Sequence, residues 1–205
     1  ALDARSAQAL ARQQRLPLFA VSCGLFALVL AWQLGRSNLV FVIDVSTRMR
    51  TELESCVGTF VNRAPLVIDL PQEGSLAAFL SALHNQVREV GAQGGVPFGR
   101  VLRALRADAG ETPRPDVVFG MHAEPRHAPY RALGQAELVP LQEVRLHQPL
   151  SFYLTVQDEL LHLELRHDAA CFGEAAARQL AQGFEVALAH CEANGAETAA
   201  SLTML

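Results

Sequence analysis

The sequence predicts an α/β fold in which a mixed sheet is covered by helices, and three observations point there. Leu39 to Val45 is an unbroken apolar run of strand length, as expected of a strand covered on both faces. Leu161, Leu163 and Leu165 alternate with His162, Glu164 and Arg166, which is the period of a half-buried strand. Leu76, Phe79, Leu80, Leu83, Val87 and Val90 recur at the spacing of one helix face. With 205 residues, half of them hydrophobic, the chain is long enough to bury one substantial core.

The elements follow in order. Asp3 to Gln14 reads as a surface helix that turns Leu10 inward. Leu16 to Leu34 carries no charge and is bracketed by Arg15 and Arg36. Its length meets the criterion of about 20 apolar residues for a membrane span, so a membrane-anchored, non-enzymatic protein is one reading. Ser22, Gly24 and Gln33 dilute the run, and no signal-type cleavage pattern follows, which weighs against a span. Val57 to Asn62 reads as a turn in which Gly58 permits backbone angles that other residues avoid. It feeds the strand-like run Pro65-Leu66-Val67-Ile68. Asn62 either caps that turn through its side chain, the plainer reading, or contacts a substrate.

Ser75 is placed to cap the helix of the Leu76 to Val90 stripe, and His84 beside that stripe reads as a flanking residue rather than a ligand. After Pro97 a shorter helix carries Val101, Leu102 and Leu105, with Arg100, Arg103 and Arg106 on a solvated face. Ala107 to Pro115, with Gly110 and Pro113, is expected to be a loop. Asp116 to Met121 is a strand running into an irregular stretch. Phe152, Leu154 and Val156 suit an antiparallel neighbour for the last strand, which leaves His162 facing solvent. A final helix starts near Glu174 and turns Leu180, Phe184, Ala187, Leu188 and Cys191 inward.

Composition narrows the function classes. A net charge of −4 and an isoelectric point near 6.0 argue against a nucleic-acid binder. The four cysteines, Cys23, Cys56, Cys171 and Cys191, form no Cys-x-x-Cys pair and suit reduced thiols in a cytoplasmic protein without zinc. His122 and His127 flank Glu124, but no third ligand is evident and Pro125 marks a loop, so no metal is expected. No internal repeat, glycine-rich phosphate loop or low-complexity tract is present.

Val57-Gly58-Thr59-Phe60-Val61-Asn62 resembles the Ile-Gly-x-Phe-Val-Asn-Thr motif of nonribosomal peptide synthetase condensation domains, with Val57 for Ile and Arg63 for Thr. Ser37 to Arg48 resembles the family's strand into a Gly-x-Pro-x-x-x-Arg turn, without that Gly and Pro. Gly95 to Val101 is similar to the His-Gln-Asp-x-Pro-Phe-Glu motif, of which only Pro97 and Phe98 are kept. Asp168-Ala169-Ala170-Cys171-Phe172 resembles the passage from the last strand into the last helix. The family's His-His-x-x-x-Asp-Gly motif does not occur: of the seven histidines, no two are adjacent.

The resemblance implies a chloramphenicol acetyltransferase-like lobe, with a fully buried central helix at Leu16 to Leu34. Residues 1–194 are expected to be the C-terminal lobe of a condensation domain, and 195–205 the start of a linker toward an adenylation domain. It also implies that the missing motif belongs to the N-terminal lobe and that this lobe carries no catalytic residue and is inactive alone. Gly58, Phe60, Asn62, Gly120, Met121 and His122 would line the substrate tunnel, with Pro97 and Phe98 a structural motif. The parent reaction would join a donor acyl or peptidyl thioester to an acceptor aminoacyl amine. Both are tethered by phosphopantetheine arms of carrier proteins, with no other cofactor, no nucleic acid and no membrane as partner. Epimerization, heterocyclization and recruitment domains share the fold. Heterocyclization is disfavoured because Pro115-Asp116-Val117-Val118-Phe119-Gly120 only partly resembles Pro-Val-Val-Phe-Thr-Ser.

Overall fold

A computed structural model describes residues 2–71, 73–109, 115–123, 148–157 and 160–194. The expected linker, 195–205, and the pair Glu124 and His127 lie outside these. The elements in chain order are β1 (Leu2–Asp3), α1 (Ala4–Gln14), α2 (Leu18–Leu34), β2 (Asn38–Ser46), β3 (Val61–Asp69), α3 (Leu76–Ala92), α4 (Phe98–Ala109), β4 (Val117–Ala123), β5 (Leu150–Gln157), β6 (Leu160–His167) and α5 (Glu174–Asn194). The six strands make one mixed sheet in the order β1-β6-β5-β4-β2-β3. The β2–β4 and β4–β5 pairs are parallel and the other three antiparallel.

The uncharged run from Leu16 is cut short by backbone chemistry. Arg15 takes the left-handed conformation at φ 54°, which costs a residue with a Cβ on the order of 1 kcal/mol, and Pro17 then opens α2. The amides of Arg15 and Leu16 fold back on the carbonyls of Arg12 and Ala11, and α2 leaves α1 at 101°. Gly35, left-handed at φ 63°, closes α2 after 17 residues, about 26 Å of helix. Among the described residues no single helix is long and apolar enough to cross a membrane; only the bent pair α1 and α2 has the length.

The apolarity of α2 reflects burial of residues 20–28, 30 and 31, although the helix is not fully buried as expected, since Trp32 in its last turn is 61% exposed. Phe26 stacks on Phe152 of β5 at 3.8 Å between centroids, and Phe41, Phe119 and Phe184 ring it at 5.9 to 6.4 Å. On the other side α3 and α5 approach closely through two glycines. A Cβ on Gly24 would lie 2.3 Å from Leu80 of α3, and one on Gly183 would lie 2.7 Å from Val29. Helices α1, α2, α3 and α5 therefore share one dry core with a single face of the sheet.

The expected cap is present, since the Ser75 hydroxyl accepts from the Ala78 amide at 3.2 Å. The β5–β6 register pairs Phe152 with Leu165, Leu154 with Leu163 and Val156 with Leu161, and His162 is exposed. Three departures stand out. Leu2 and Asp3 pair with Leu161 and Leu160 as an edge strand, so the first helix starts one residue later than expected, at Ala4. Helix α4 continues to Ala109, into what was expected to be loop, because Ala107, Asp108 and Ala109 contain no helix breaker. Its stripe is only partly covered: Val101 and Leu102 are half-buried and Leu105 is 41% exposed. At the opposite edge β3 carries Pro65, which has no N–H, in its middle, as an outermost strand tolerates.

Candidate functional site

The two faces of the sheet differ. Phe41, Phe119 and Phe152 point into the helical core, so strand alternation sends Val42, Val118, Gly120, Ser151 and Tyr153 to the other face. At its centre Val42, Val118 and Ser151 are buried. Around them lies a charged and aromatic row. Arg63 pairs with Asp44 across β3 and β2 at 3.6 Å, and Gly120, Tyr153 and Glu164 are successive cross-strand partners on β4, β5 and β6. Continuing the β2–β4 register by one residue puts Asp44 beside Gly120.

Tyr153 dominates this row. A Cβ on Gly120 would lie 2.6 Å from Cδ1 and Cε1 of Tyr153, so the ring occupies the space that a side chain at 120 would take. The His122 ring lies nearly parallel to it, 5.1 Å away at 16°. The Arg166 guanidinium is 5.7 Å from the ring centre, held by Glu164 at 2.7 Å. Burial, then the charge of Asp44, raises the Tyr153 phenol above the ordinary tyrosine range, with Arg63 and Arg166 offsetting part of this. It is therefore a neutral hydroxyl at physiological pH, able to donate a hydrogen bond.

Of the expected tunnel residues, Gly120 and His122 share this face, whereas Met121 packs on the helical core. Three consecutive residues of one strand cannot line one surface. Met121 therefore faces the opposite side of the sheet from Gly120 and His122.

Gly58 and Phe60, on the loop between β2 and β3, form a second group with Asn62 at the start of β3. Gly58 has φ 158°, at the margin of the extended region, and a Cβ there would meet the Phe60 ring at 3.3 Å. Room for that ring, more than a sharp turn, is what the position requires. The Arg48 guanidinium lies 4.1 Å from the centre of the Phe60 ring and donates to the carbonyls of Leu53 and Cys56, closing the loop on itself. Asn62 is wholly engaged within the chain. Its Nδ2 donates to the carbonyls of Gly94 at 2.8 Å and Val96 at 2.6 Å, and its Oδ1 accepts from the Phe98 amide at 3.3 Å.

Asn62 thus caps a helix start 36 residues away and ties β3 to the segment bearing Pro97 and Phe98. Gly94 fits against it because a Cβ would meet Val45 at 2.9 Å. Asp116, at the foot of β4, plays a comparable part: its carboxylate takes the Val40 amide at 2.7 Å and Arg36 at 2.5 Å. Sequence reading missed Tyr153. Its signal, a tyrosine amid small and apolar neighbours, acquires meaning only once β4 is known to pair with β5. Among the described residues no three histidine, cysteine or acidic side chains converge as a metal centre.

Comparison with known proteins agrees with this architecture. The Condensation domain family matches over residues 3–205. The chain is 30% identical over 142 residues to the AMB antimetabolite synthetase AmbB of Pseudomonas aeruginosa, covering 68% of this chain and 11% of that protein. It is 28% identical over 110 residues to N-(5-amino-5-carboxypentanoyl)-L-cysteinyl-D-valine synthase of Amycolatopsis lactamdurans, covering 52% and 3%. The chain therefore spans only a small part of these relatives.

Among solved structures, a four-domain nonribosomal peptide synthetase, holo-AB3403, superposes with a TM-score of 0.81 at 17% identity, covering 98% of this chain and 16% of that one. The condensation domain of the Monacolin K polyketide synthase MokA gives 0.80 at 15%, covering 96% and 46%. The X-domain of teicoplanin biosynthesis, solved with OxyB, gives 0.77 at 21%, covering 100% and 47%. With a family match across nearly its whole length, this chain belongs to the condensation domains of nonribosomal peptide synthetases.

Proposed function

We propose that residues 1–194 are the C-terminal lobe of a condensation domain, with 195–205 leading toward an adenylation domain, and that the lobe supplies one wall of a substrate tunnel completed by an N-terminal lobe. The observation that carries this reading is the family match over residues 3–205 in a chain that spans 46% of a solved condensation domain. The lack of paired histidines agrees with it. In the reaction, an aminoacyl amine on one carrier protein attacks the thioester carbonyl of an acyl or peptidyl donor on another. The new C–N bond forms, the C–S bond breaks, and the amine's proton leaves with the phosphopantetheine thiol.

Two tethered reactants need orientation above all, so a lobe that carries no catalytic residue still contributes by shape. Gly120 and His122 are the wall residues of this reading. Gly58, Phe60 and Asn62, with Pro97 and Phe98, hold the β2–β3 loop and the start of α4 in place behind it, and Met121 supports β4 from the core. The partners are the N-terminal lobe, the two carrier proteins and the adenylation domain, and no cofactor beyond the carriers' arms is required.

The test is amide formation from loaded carrier proteins. This chain alone is expected to yield none, and this chain joined to an N-terminal lobe bearing His-His-x-x-x-Asp-Gly is expected to yield product. Turnover by the isolated chain, or none by the joined lobes, would overturn the reading. A second reading, a recruitment domain, draws on the likeness to the X-domain solved with OxyB, which covers the whole of this chain. It would be favoured if the joined lobes were inactive but retained a partner enzyme.

A further inference from the structure

On the assignment of this lobe to a tunnel wall, we propose that Tyr153 is a substrate-contacting, specificity-determining residue. Its hydroxyl would donate a hydrogen bond to a carbonyl oxygen of the tethered acyl or aminoacyl group, and Gly120 would be the positioning residue that seats its ring.

Four observations converge. The ring lies across Gly120, in the space that any larger residue at 120 would fill. It is clamped laterally, by the parallel ring of His122 on one strand and by the guanidinium of Arg166 on another. Arg166 is itself fixed by Glu164 at 2.7 Å. The other carboxylate in the row, Asp44, is already paired with Arg63 at 3.6 Å.

A rigid, half-buried aromatic side chain on the face away from the helical core contributes nothing to that core. A tyrosine held in this way offers a flat apolar surface and one neutral donor, which is the complement of an uncharged carbonyl flanked by apolar atoms. The charges around the ring form pairs among themselves. The chemistry therefore favours a neutral acyl or amide group over a carboxylate or phosphate. The ring also occupies tunnel width, so the residue at 153 restricts how bulky an acyl group passes.

The experiment uses the condensation domain formed by this chain and an N-terminal lobe, with carrier proteins loaded with acyl groups of increasing size. Tyr153→Phe keeps the ring and removes the donor; kcat/KM is expected to fall about three- to tenfold, with KM for the loaded carrier protein rising. Gly120→Ala forces the ring aside and is expected to cost more, about a hundredfold, because a displacement near 1 Å at a reacting group has that effect. In a Tyr153→Ala background the same Gly120→Ala change is expected to cost little, and the larger acyl groups to turn over relatively faster.

Thermal midpoints of all variants separate these effects from unfolding. The proposal is overturned if Tyr153→Phe leaves kcat/KM and KM unchanged in an active domain, or if Gly120→Ala costs the same with and without the tyrosine. An inactive parental domain would instead remove the reading on which the proposal rests.

Discussion

The two faces of the sheet are built from alternate residues of the same strands and have opposite characters. One presents Phe41, Phe119 and Phe152 to Phe26 and Phe184, dry and interlocked; the other presents Tyr153, His122, Asp44, Arg63, Glu164 and Arg166, paired and partly solvated. Residues of the first face hold the fold together. Those of the second are stabilised mostly by each other, so their identities are free to answer to a ligand. A functional residue in such a sheet is therefore best sought one position away from a core phenylalanine.

The contrast can be broken by substitution, beginning with the largest effect. Phe26→Ala is expected to destabilise the fold by about 3–5 kcal/mol in urea unfolding, since it empties the centre of the ring cluster. A loss under about 1 kcal/mol would mean that the core is not organised around it. Thiol labelling sharpens the same boundary. Cys23 and Cys191 are buried, which pushes the Cys191 thiol up to about 11, whereas Cys56 and Cys171 are exposed. The exposed pair is expected to react at least about a hundredfold faster in the native protein, because the buried pair waits for opening. Equal rates in peptide mapping would show that the helical face is not closed.

Asn62→Ala, which frees two carbonyls and the Phe98 amide, is expected to cost about 1–3 kcal/mol and to raise hydrogen exchange at residues 94–98. Unchanged exchange there would refute the clamp. At the small end, Glu164→Gln is expected to move stability by under about 0.5 kcal/mol, since its pair with Arg166 is 57% and 42% exposed. A larger loss would show that the second face also carries the fold.

The parts legible in the sequence were those with local causes. Periodicity located α3, α5, β5 and β6, and Ser75 announced its own helix. The apolar run at Leu16 to Leu34 was ambiguous because hydrophobicity does not say whether protein or lipid surrounds a helix. Arg15 gave no warning of its left-handed turn, and β1 is too short, at two residues, to leave a pattern. Asn62 was read as capping its own turn or contacting a substrate, but its side chain bonds to residues 94–98, and the helix it caps begins 36 residues later, beyond any local rule. The meeting of Gly120 with Tyr153 depends on a parallel pairing across 33 positions. Only the register of β4 against β5 reveals why that glycine is small.

The proline in the outermost strand has a consequence for company rather than for shape. Among the described residues strand β3 has no neighbour on one side, and such a border invites a second copy to extend the ladder. Pro65 interrupts the row of amide donors midway along it, so an arriving strand would find its hydrogen-bond pattern broken at the centre. Arg63 adds a charge two residues away. The border is in this way made a poor template, and the chain is steered away from stacking into ribbons with itself.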